Sequence, residues 1–216
     1  MADRRLRLRR EASAFGVGSL LFMLGAVPLY ATAVGPVIDS LTFFIGSIFF
    51  TLGGAIQLAL SGRRVPRRDT NTPDRLDWWS AAVQSLGTLF FNVSTAAVLV
   101  TALNADPDAP SGWRPDAFGS IAFLVSGVFA VVATTERDRL WDPHARTWRC
   151  SWIGLAGCIL FAVSAVGAYV MPLTGDPVSL FWANFGTFTG AACFLTAAIL
   201  SRREVADAES AAEVSA

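Results

Sequence analysis

Six long apolar runs alternate with short polar segments along the 216-residue chain. Each run has about 20 residues, the length a helix needs to cross a hydrocarbon layer of roughly 30 Å. Apolar and polar residues do not alternate within the runs, so helices are favoured over strands. The pattern therefore predicts an all-α polytopic membrane protein with six transmembrane helices. They extend over residues 13–34, 39–60, 79–102, 117–134, 151–171 and 178–200.

Turn-forming residues divide these helices into three parallel hairpins. Short segments rich in Gly, Pro and Asp, such as "VGPVID" and "PLTGDP", connect the two helices of a hairpin, whereas arginine-rich segments connect one hairpin to the next. The predicted organisation is a basic N-terminus (1–12), hairpin 1 (13–60), a linker (61–77), hairpin 2 (78–134), a second linker (135–150), hairpin 3 (151–200) and an acidic tail (201–216).

Arginine is distributed very unevenly about the predicted helices. All 17 basic residues are Arg, and 16 of them lie in the N-terminus, the two linkers and the start of the tail, whereas Arg114 stands alone on the other side. Cytoplasmic loops carry an excess of basic residues. We therefore expect a membrane protein with both termini and both linkers in the cytoplasm.

Composition agrees with a membrane protein, with 53% hydrophobic and 16% charged residues. The basic N-terminus, the first apolar run and the small residues Ala31 to Ala33 also resemble a cleaved signal peptide. We interpret the run as a membrane helix instead, because it is long for a signal peptide and carries a motif found in the later helices.

That motif is a repeat of the form G-[STC]-x-x-F-x-x-[GS]. Glycine at i, Phe at i+4 and a small residue at i+7 lie on one narrow face of a helix. Small residues let membrane helices approach closely, so we interpret these positions as a helix-packing seam, with a ligand site as the alternative. The sixth helix shows only a partial copy. The seam comprises Gly18, Phe22, Gly46, Phe50, Gly53, Gly87, Phe91, Gly119, Phe123, Gly157, Phe161 and Gly186.

Four copies of the motif, "GSLLFMLG", "GSIFFTLG", "GTLFFNVS" and "GSIAFLVS", cover the first four predicted helices. A short two-helix hairpin with this arrangement is similar to the YrhK-type family of bacterial integral membrane domains. The resemblance implies a membrane-embedded helical hairpin. The role of that family is unknown, so the resemblance implies no activity and no functional residues.

Neutral polar side chains are the remaining candidates for function. Gln84, Thr88 and Asn92 form a stripe on one face of the third helix, and Gln57 and Asn184 lie in two other helices. They either form interhelical hydrogen bonds or line a small polar cavity. Asp39, Asp116 and Asp176 fall at helix ends or in loops, where we expect water to solvate them.

No catalytic, metal or cofactor site is predicted. His144 is the single histidine, the three cysteines form no C-x-x-C pair, and no Ser, His and acid set can be assembled. We therefore expect no enzymatic activity and no cofactor. We also expect no nucleic-acid partner, because acids are interspersed among the arginines.

The leading hypothesis is a non-enzymatic structural or partner-binding membrane component. The expected partners are membrane lipids, anionic lipid at the cytoplasmic face in particular, with a homo-oligomer or a membrane protein as further possibilities. The alternative is a channel or facilitator for a small neutral solute, which requires Gln57, Gln84, Asn92 and Asn184 to converge on one cavity.

Overall fold

The computed structural model describes residues 2–62, 64–104, 113–137 and 141–214, and it is all-helical there, as predicted. Residues 105–112 of hairpin 2, 138–140 of the second linker and the acidic side chains of the tail lie outside the described part. The helices are α1 (Ala2–Gly25), α2 (Pro28–Ser61), α3 (Thr72–Asn104), α4 (Trp113–Arg137), α5 (Arg146–Gly167) and α6 (Leu180–Val214).

Five of these helices, α2 to α6, are long and apolar enough to cross a membrane. Their outward faces carry large apolar side chains, which would contact lipid acyl chains. The residue two positions after the motif glycine is exposed in each of the first five helices. These residues are Leu20, Ile48, Leu89, Ile121 and Ile159. A multi-pass membrane protein therefore accounts for both the length and the surface of the bundle.

The first helix differs from its prediction at both ends. It begins at Ala2 rather than at residue 13, and it ends at Gly25 rather than at residue 34. The early end follows from Pro28, because the residue before a proline avoids the helical region, and Val27 is extended with φ −86° and ψ 113°. Only residues 13–25 of α1 are thus apolar and helical, about 20 Å of rise.

The predicted turn at "VGPVID" exists, but it lies inside α2. Gly35 has φ 79° and ψ 169°, which breaks the helix between a short segment, 28–34, and the long segment that starts at Pro36. The hydroxyl groups of Tyr30 and Thr42 are 2.7 Å apart, so the short segment folds against the long one. Gly suits this turn because positive φ is costly for other residues.

Helix ends elsewhere differ from the sequence prediction by several residues. Asn71 caps α3 by accepting a hydrogen bond from the backbone N–H of Asp74 at 2.9 Å, so the helix starts inside the predicted linker. The α5 helix ends at Gly167, and the loop that follows contains an isolated bridge between Val170 and Pro177. The α6 backbone continues to Val214, into the predicted tail.

The six helices form a closed ring. The most extensive contacts are within the pairs α1–α2, α3–α4 and α5–α6, which are the three predicted hairpins. Further contacts join α2 to α3, α4 to α5, and α1 to α6. The last pair closes the ring, so one chain satisfies the packing faces of all six helices.

Within each hairpin, a phenylalanine of each helix packs against a glycine of the other helix. A Cβ placed on Gly46 would lie 2.7 Å from Phe22, and one placed on Gly18 would lie 2.9 Å from Phe50. Hairpin 2 repeats this with Gly119 against Phe91 and Gly87 against Phe123, at 3.0 and 2.7 Å. Each ring therefore fills the notch that the partner helix leaves open, as the seam predicts.

The sixth helix contains a full copy of this packing unit, displaced from the predicted register. Phe194 lies 3.0 Å from a Cβ built on Gly157, and Phe161 lies 3.4 Å from one built on Gly190. The packing unit of α6 is therefore Gly190 with Phe194, four residues after the predicted anchor Gly186. Gly186 lies in the contact as well, because its Cβ would meet the backbone of α5.

Seven phenylalanine side chains fill the central axis of the six-helix bundle. Each hairpin contributes one ring pair, Phe22–Phe50, Phe91–Phe123 and Phe161–Phe194, with centroids 5.2, 5.0 and 5.6 Å apart. Such pairs contribute about 0.5–1.5 kcal/mol each beyond burial. We call this set the phenylalanine cluster; it comprises Phe15, Phe22, Phe50, Phe91, Phe123, Phe161 and Phe194.

Hydroxyl groups beside the motif glycines link one hairpin to the next. The Ser47 and Thr95 hydroxyls are 2.9 Å apart across α2 and α3, and Ser120 donates to the carbonyl of Phe161 at 3.4 Å across α4 and α5. Glycine and phenylalanine thus hold the hairpins together, and their neighbours join the hairpins into the ring.

We predict that Gly186→Ala destabilises the bundle by roughly 1–3 kcal/mol, the usual effect of overpacking. The new Cβ would lie 2.6 Å from the carbonyl oxygen of Leu160 and 2.7 Å from the amide nitrogen of Ser164, and backbone atoms cannot rotate away. The measurement is reversible unfolding in mixed micelles, followed by tryptophan fluorescence. Gly16→Ala is the matched control, because its Cβ would meet Leu195 at an ordinary 3.8 Å. Equal stability of the two variants would contradict the close approach of α5 and α6.

Candidate functional site

One cavity lies at the end of the bundle that carries the N-terminus and the arginine-rich linkers, which we call the arginine end. This arginine-end cavity has a volume of about 210 Å³. Phe15 and Phe194 of the phenylalanine cluster form its floor, and Glu11, Gln57 and Gln84 contribute its charged and amide groups. Small residues, among them Gly127, Ala130 and Gly154, leave the space open.

A wider vestibule of about 630 Å³ adjoins the arginine-end cavity and shares Glu11 and Gln57 with it. Its rim carries charges of both signs, and the guanidinium of Arg137 hydrogen-bonds Asp74 and Asp77 there. Arg4, Leu8 and Glu11 all line the vestibule, because they are spaced by four and three residues along α1. Glu11 and Gln57 thus lie at the junction of the cavity and its entrance.

A second cavity of about 250 Å³ lies at the opposite end of the bundle, the far end. It is bounded by Phe22, Phe91 and Phe161 on the side of the phenylalanine cluster. Its polar lining comprises Ser40, Ser94, Thr95, Asp116, Ser164, Asn184 and Thr187. The sequence predicted that Asp116 would be solvated at a helix end, whereas the structure places it in the wall of this far-end cavity.

The predicted polar residues are divided between different environments. Gln57 and Gln84 line the arginine-end cavity, whereas Asn184 lines the far-end cavity. Asn92 donates from Nδ2 to the hydroxyl of Thr51 at 2.8 Å, between α3 and α2, and Thr88 donates to the carbonyl of its own-helix neighbour Ser85 at 2.7 Å. A single solute path would require the four amides to converge on one cavity, and they do not.

Hydrogen bonds occupy several hydroxyl groups of the arginine-end cavity. Ser80 donates to the carbonyl of Ser126 at 3.0 Å, and Ser126 lies within donating distance of the Ser80 carbonyl and of Gln84 Oε1, at 2.9 and 3.2 Å. In contrast, the buried Oε1 of Gln57 has no hydrogen-bond partner among the described residues. Among its described residues the cavity therefore presents one unmet amide acceptor, Gln57 Oε1.

Glu11 precedes the apolar residues of α1 and is half-buried. Burial raises the pKa of its carboxyl group to about 7. Among the described residues that line the cavity there is no arginine. A carboxylate here has lost part of its hydration, and the arginines near it, such as Arg4, lie on the vestibule side and not in the cavity. Partial loss of hydration is a feature typical of binding sites.

Glu11 was not among the predicted site residues, because a charged residue before the first apolar run was counted with the basic N-terminus. The missed signal is the spacing to the phenylalanines, since Phe15 and Phe22 follow Glu11 by four and eleven residues and hence lie on the same face of α1. Gln57, Gln84 and Asp116 are each seven residues, two helical turns, from Phe50, Phe91 and Phe123, respectively. Such residues point toward the axis at one end of the cluster.

Among the described residues, no group of three His, Cys, Asp or Glu side chains could hold a metal ion. Cys158 is buried between α5 and α4, where its sulfur lies 3.2 Å from a Cβ built on Gly127. The site defined by the structure is thus a cavity in a helical membrane bundle, with mostly apolar walls and, among its described residues, one carboxyl group and two amides. Comparison of the chain with protein families, with curated proteins and with solved structures found no match.

We predict a small coupling between Asn92 and Thr51, about 0.6 kcal/mol, the average for interhelical hydrogen bonds in a membrane protein. The measurement is a double-mutant cycle of Asn92→Ala and Thr51→Ala, with unfolding monitored in mixed micelles. A parallel cycle of Asn92→Ala with Thr189→Ala serves as the control, since Thr189 bonds the Phe185 carbonyl within α6. Coupling no larger than in this control would contradict the Asn92–Thr51 bond.

Proposed function

We propose that this chain is a multi-pass protein of a bacterial inner membrane, with both termini and both linkers in the cytoplasm. The distribution of arginine supports this orientation, since 16 of 17 lie on one side of the predicted helices. The similarity to the YrhK-type family stays a prediction within this proposal, based on the repeated Gly and Phe motif.

The proposed role is non-enzymatic: a structural or partner-binding component of that membrane. The observation that supports it best is the phenylalanine cluster, which fills the axis between the two cavities; Phe123 is fully buried and Phe50 nearly so. A bundle filled in this way is rigid and presents its outer surface and its two ends for interaction. A second copy or another membrane protein would dock on the apolar outer surface.

A second candidate, a facilitator for a small neutral solute, has one observation in its favour. Polar cavities lie on both sides of the phenylalanine cluster, with Gln84 in the arginine-end cavity and Asn184 in the far-end cavity. A path would then need the rings to move apart. In the observed state the cluster closes the axis, so the first candidate accounts for the geometry with fewer assumptions.

Solute flux distinguishes the two candidates. We predict that proteoliposomes containing the protein take up glycerol and urea no faster than protein-free liposomes, because the phenylalanine cluster leaves no passage. The measurement is stopped-flow light scattering, with protein insertion quantified in each preparation. Uptake well above the protein-free rate would overturn the structural role in favour of the facilitator, provided that Gln84→Leu abolishes it and the exposed substitution Glu136→Gln does not.

Anionic lipid is the partner for which a surface can be proposed. A groove of about 650 Å³ lies between α1 and α2, on the side opposite the phenylalanine cluster. Its walls are apolar, with Val17, Phe49 and Leu52 among them, and the first residues at its arginine end are Arg7, Arg9 and Arg10. An acyl chain fits the apolar walls, and a phosphate group fits the guanidinium groups.

We predict that replacing Arg7, Arg9 and Arg10 together by Gln lowers the retention of phosphatidylglycerol, on the order of tenfold or more, because each nearby basic residue contributes about 1 kcal/mol. Lipid that co-purifies with the protein is measured by mass spectrometry, with phosphatidylethanolamine as the internal reference. The matched control replaces Arg67, Arg68 and Arg75 by Gln, which removes the same charge from the first linker. If both triple variants lose the lipid equally, the attraction is general and the groove is not the site.

A further inference from the structure

One buried acceptor of the arginine-end cavity lacks a donor, and the carboxyl group of the cavity has no arginine beside it there. Among the described residues, Gln57 Oε1 has no hydrogen-bond partner, and the arginines that share the vestibule with Glu11, such as Arg4, do not line the cavity. Two hydroxyl groups that line the cavity, those of Ser80 and Ser126, are engaged across α3 and α4. An unmet buried acceptor is destabilising, and more so when it is charged. The occupant that removes this cost must donate hydrogen bonds and carry positive charge.

The walls of the cavity restrict the occupant further. Phe15 and Phe194 present aromatic carbon, and Leu155, Ala130 and Ala197 present aliphatic carbon. The volume of about 210 Å³ holds roughly seven water-sized groups, each of about 30 Å³. A compact cation with a short apolar part fits this space, and aromatic rings attract such cations.

We propose that the arginine-end cavity binds a small primary alkylammonium cation. Its ammonium group donates to the Glu11 carboxylate and to Gln57 Oε1, and its alkyl group packs against Phe15 and Phe194. The ligand enters through the vestibule, which shares Glu11 and Gln57 with the cavity. This inference does not rest on the proposed structural role, because a site that is open at one end serves a binding component or a facilitator equally.

Other occupants fit less well. A water molecule would satisfy Gln57 Oε1 but would leave the charge of Glu11 without a counterion. A divalent metal ion needs several oxygen ligands with more than one carboxylate in most protein sites, and the cavity lining has a single carboxylate among the described residues. An anion would meet the Glu11 charge without a guanidinium group to offset it.

The test is calorimetric titration of the full chain in nanodiscs with propylammonium chloride. It is run at about pH 8.5, where most of the Glu11 carboxyl is ionised, since its pKa is about 7. We expect saturable binding in wild type. Tetramethylammonium, which has no N–H donor, and 1-propanol, which has no charge, should bind at least about tenfold more weakly.

Three variants assign the site. Glu11→Gln should weaken propylammonium binding about tenfold or more, because a charged hydrogen bond is replaced by a neutral one. Gln57→Leu should weaken it several-fold, and it keeps the test informative where Glu11→Gln fails to fold. Glu136→Gln removes an exposed carboxylate from the end of α4 and should leave binding unchanged. No saturable binding in folded wild type, or equal binding in Glu11→Gln and Glu136→Gln, would overturn the proposal.

Discussion

The insertion of a phenylalanine ring into a glycine notch is the contact on which the rest of this structure depends. Apolar side chains gain little by leaving lipid for protein, so helices in a membrane associate through close fit. Here Phe22 enters the notch at Gly46 while Phe50 enters the notch at Gly18, so each helix of the pair supplies both parts. Repetition of this unit in all three hairpins directs the rings to one axis and makes a closed ring of six helices.

The same contact determines where polar groups can lie. Because the phenylalanines occupy the middle of the axis, residues two helical turns away on the same face reach the axis at its ends. Gln84 and Asp116 precede Phe91 and Phe123 by the same seven residues, yet they lie at opposite ends because α3 and α4 run in opposite directions. The two cavities are therefore a consequence of the repeat, and their chemistry depends on which side chains occupy these positions.

The sequence predicted the helices, their hairpin pairing and the packing face, because each is a local or periodic property. It did not predict that α1 ends at Gly25, since the pre-proline break at Val27 occurs within a continuous apolar run. The register of α6 was also predicted four residues early, at Gly186, although only Gly190 is followed four residues later by a phenylalanine, Phe194. The contact between α1 and α6 that closes the circle of helices decides which polar side chains share a cavity. This contact is a long-range property, so the periodicity of the sequence does not predict it.

Glu11 shows where packing stops accounting for the residues of this bundle. It continues the face of α1 that carries Phe15 and Phe22, so a small or apolar side chain at this position would extend the packed axis by one more turn. A carboxyl group instead leaves a cavity and loses hydration, which disfavours its charged form. Among the described residues no arginine lines the cavity itself, and in the vestibule the guanidinium of Arg137 is paired with Asp74 and Asp77. The proposed ligand site therefore lies at one end of the phenylalanine cluster, where a carboxyl group replaces the apolar side chain that the packing repeat would otherwise place there.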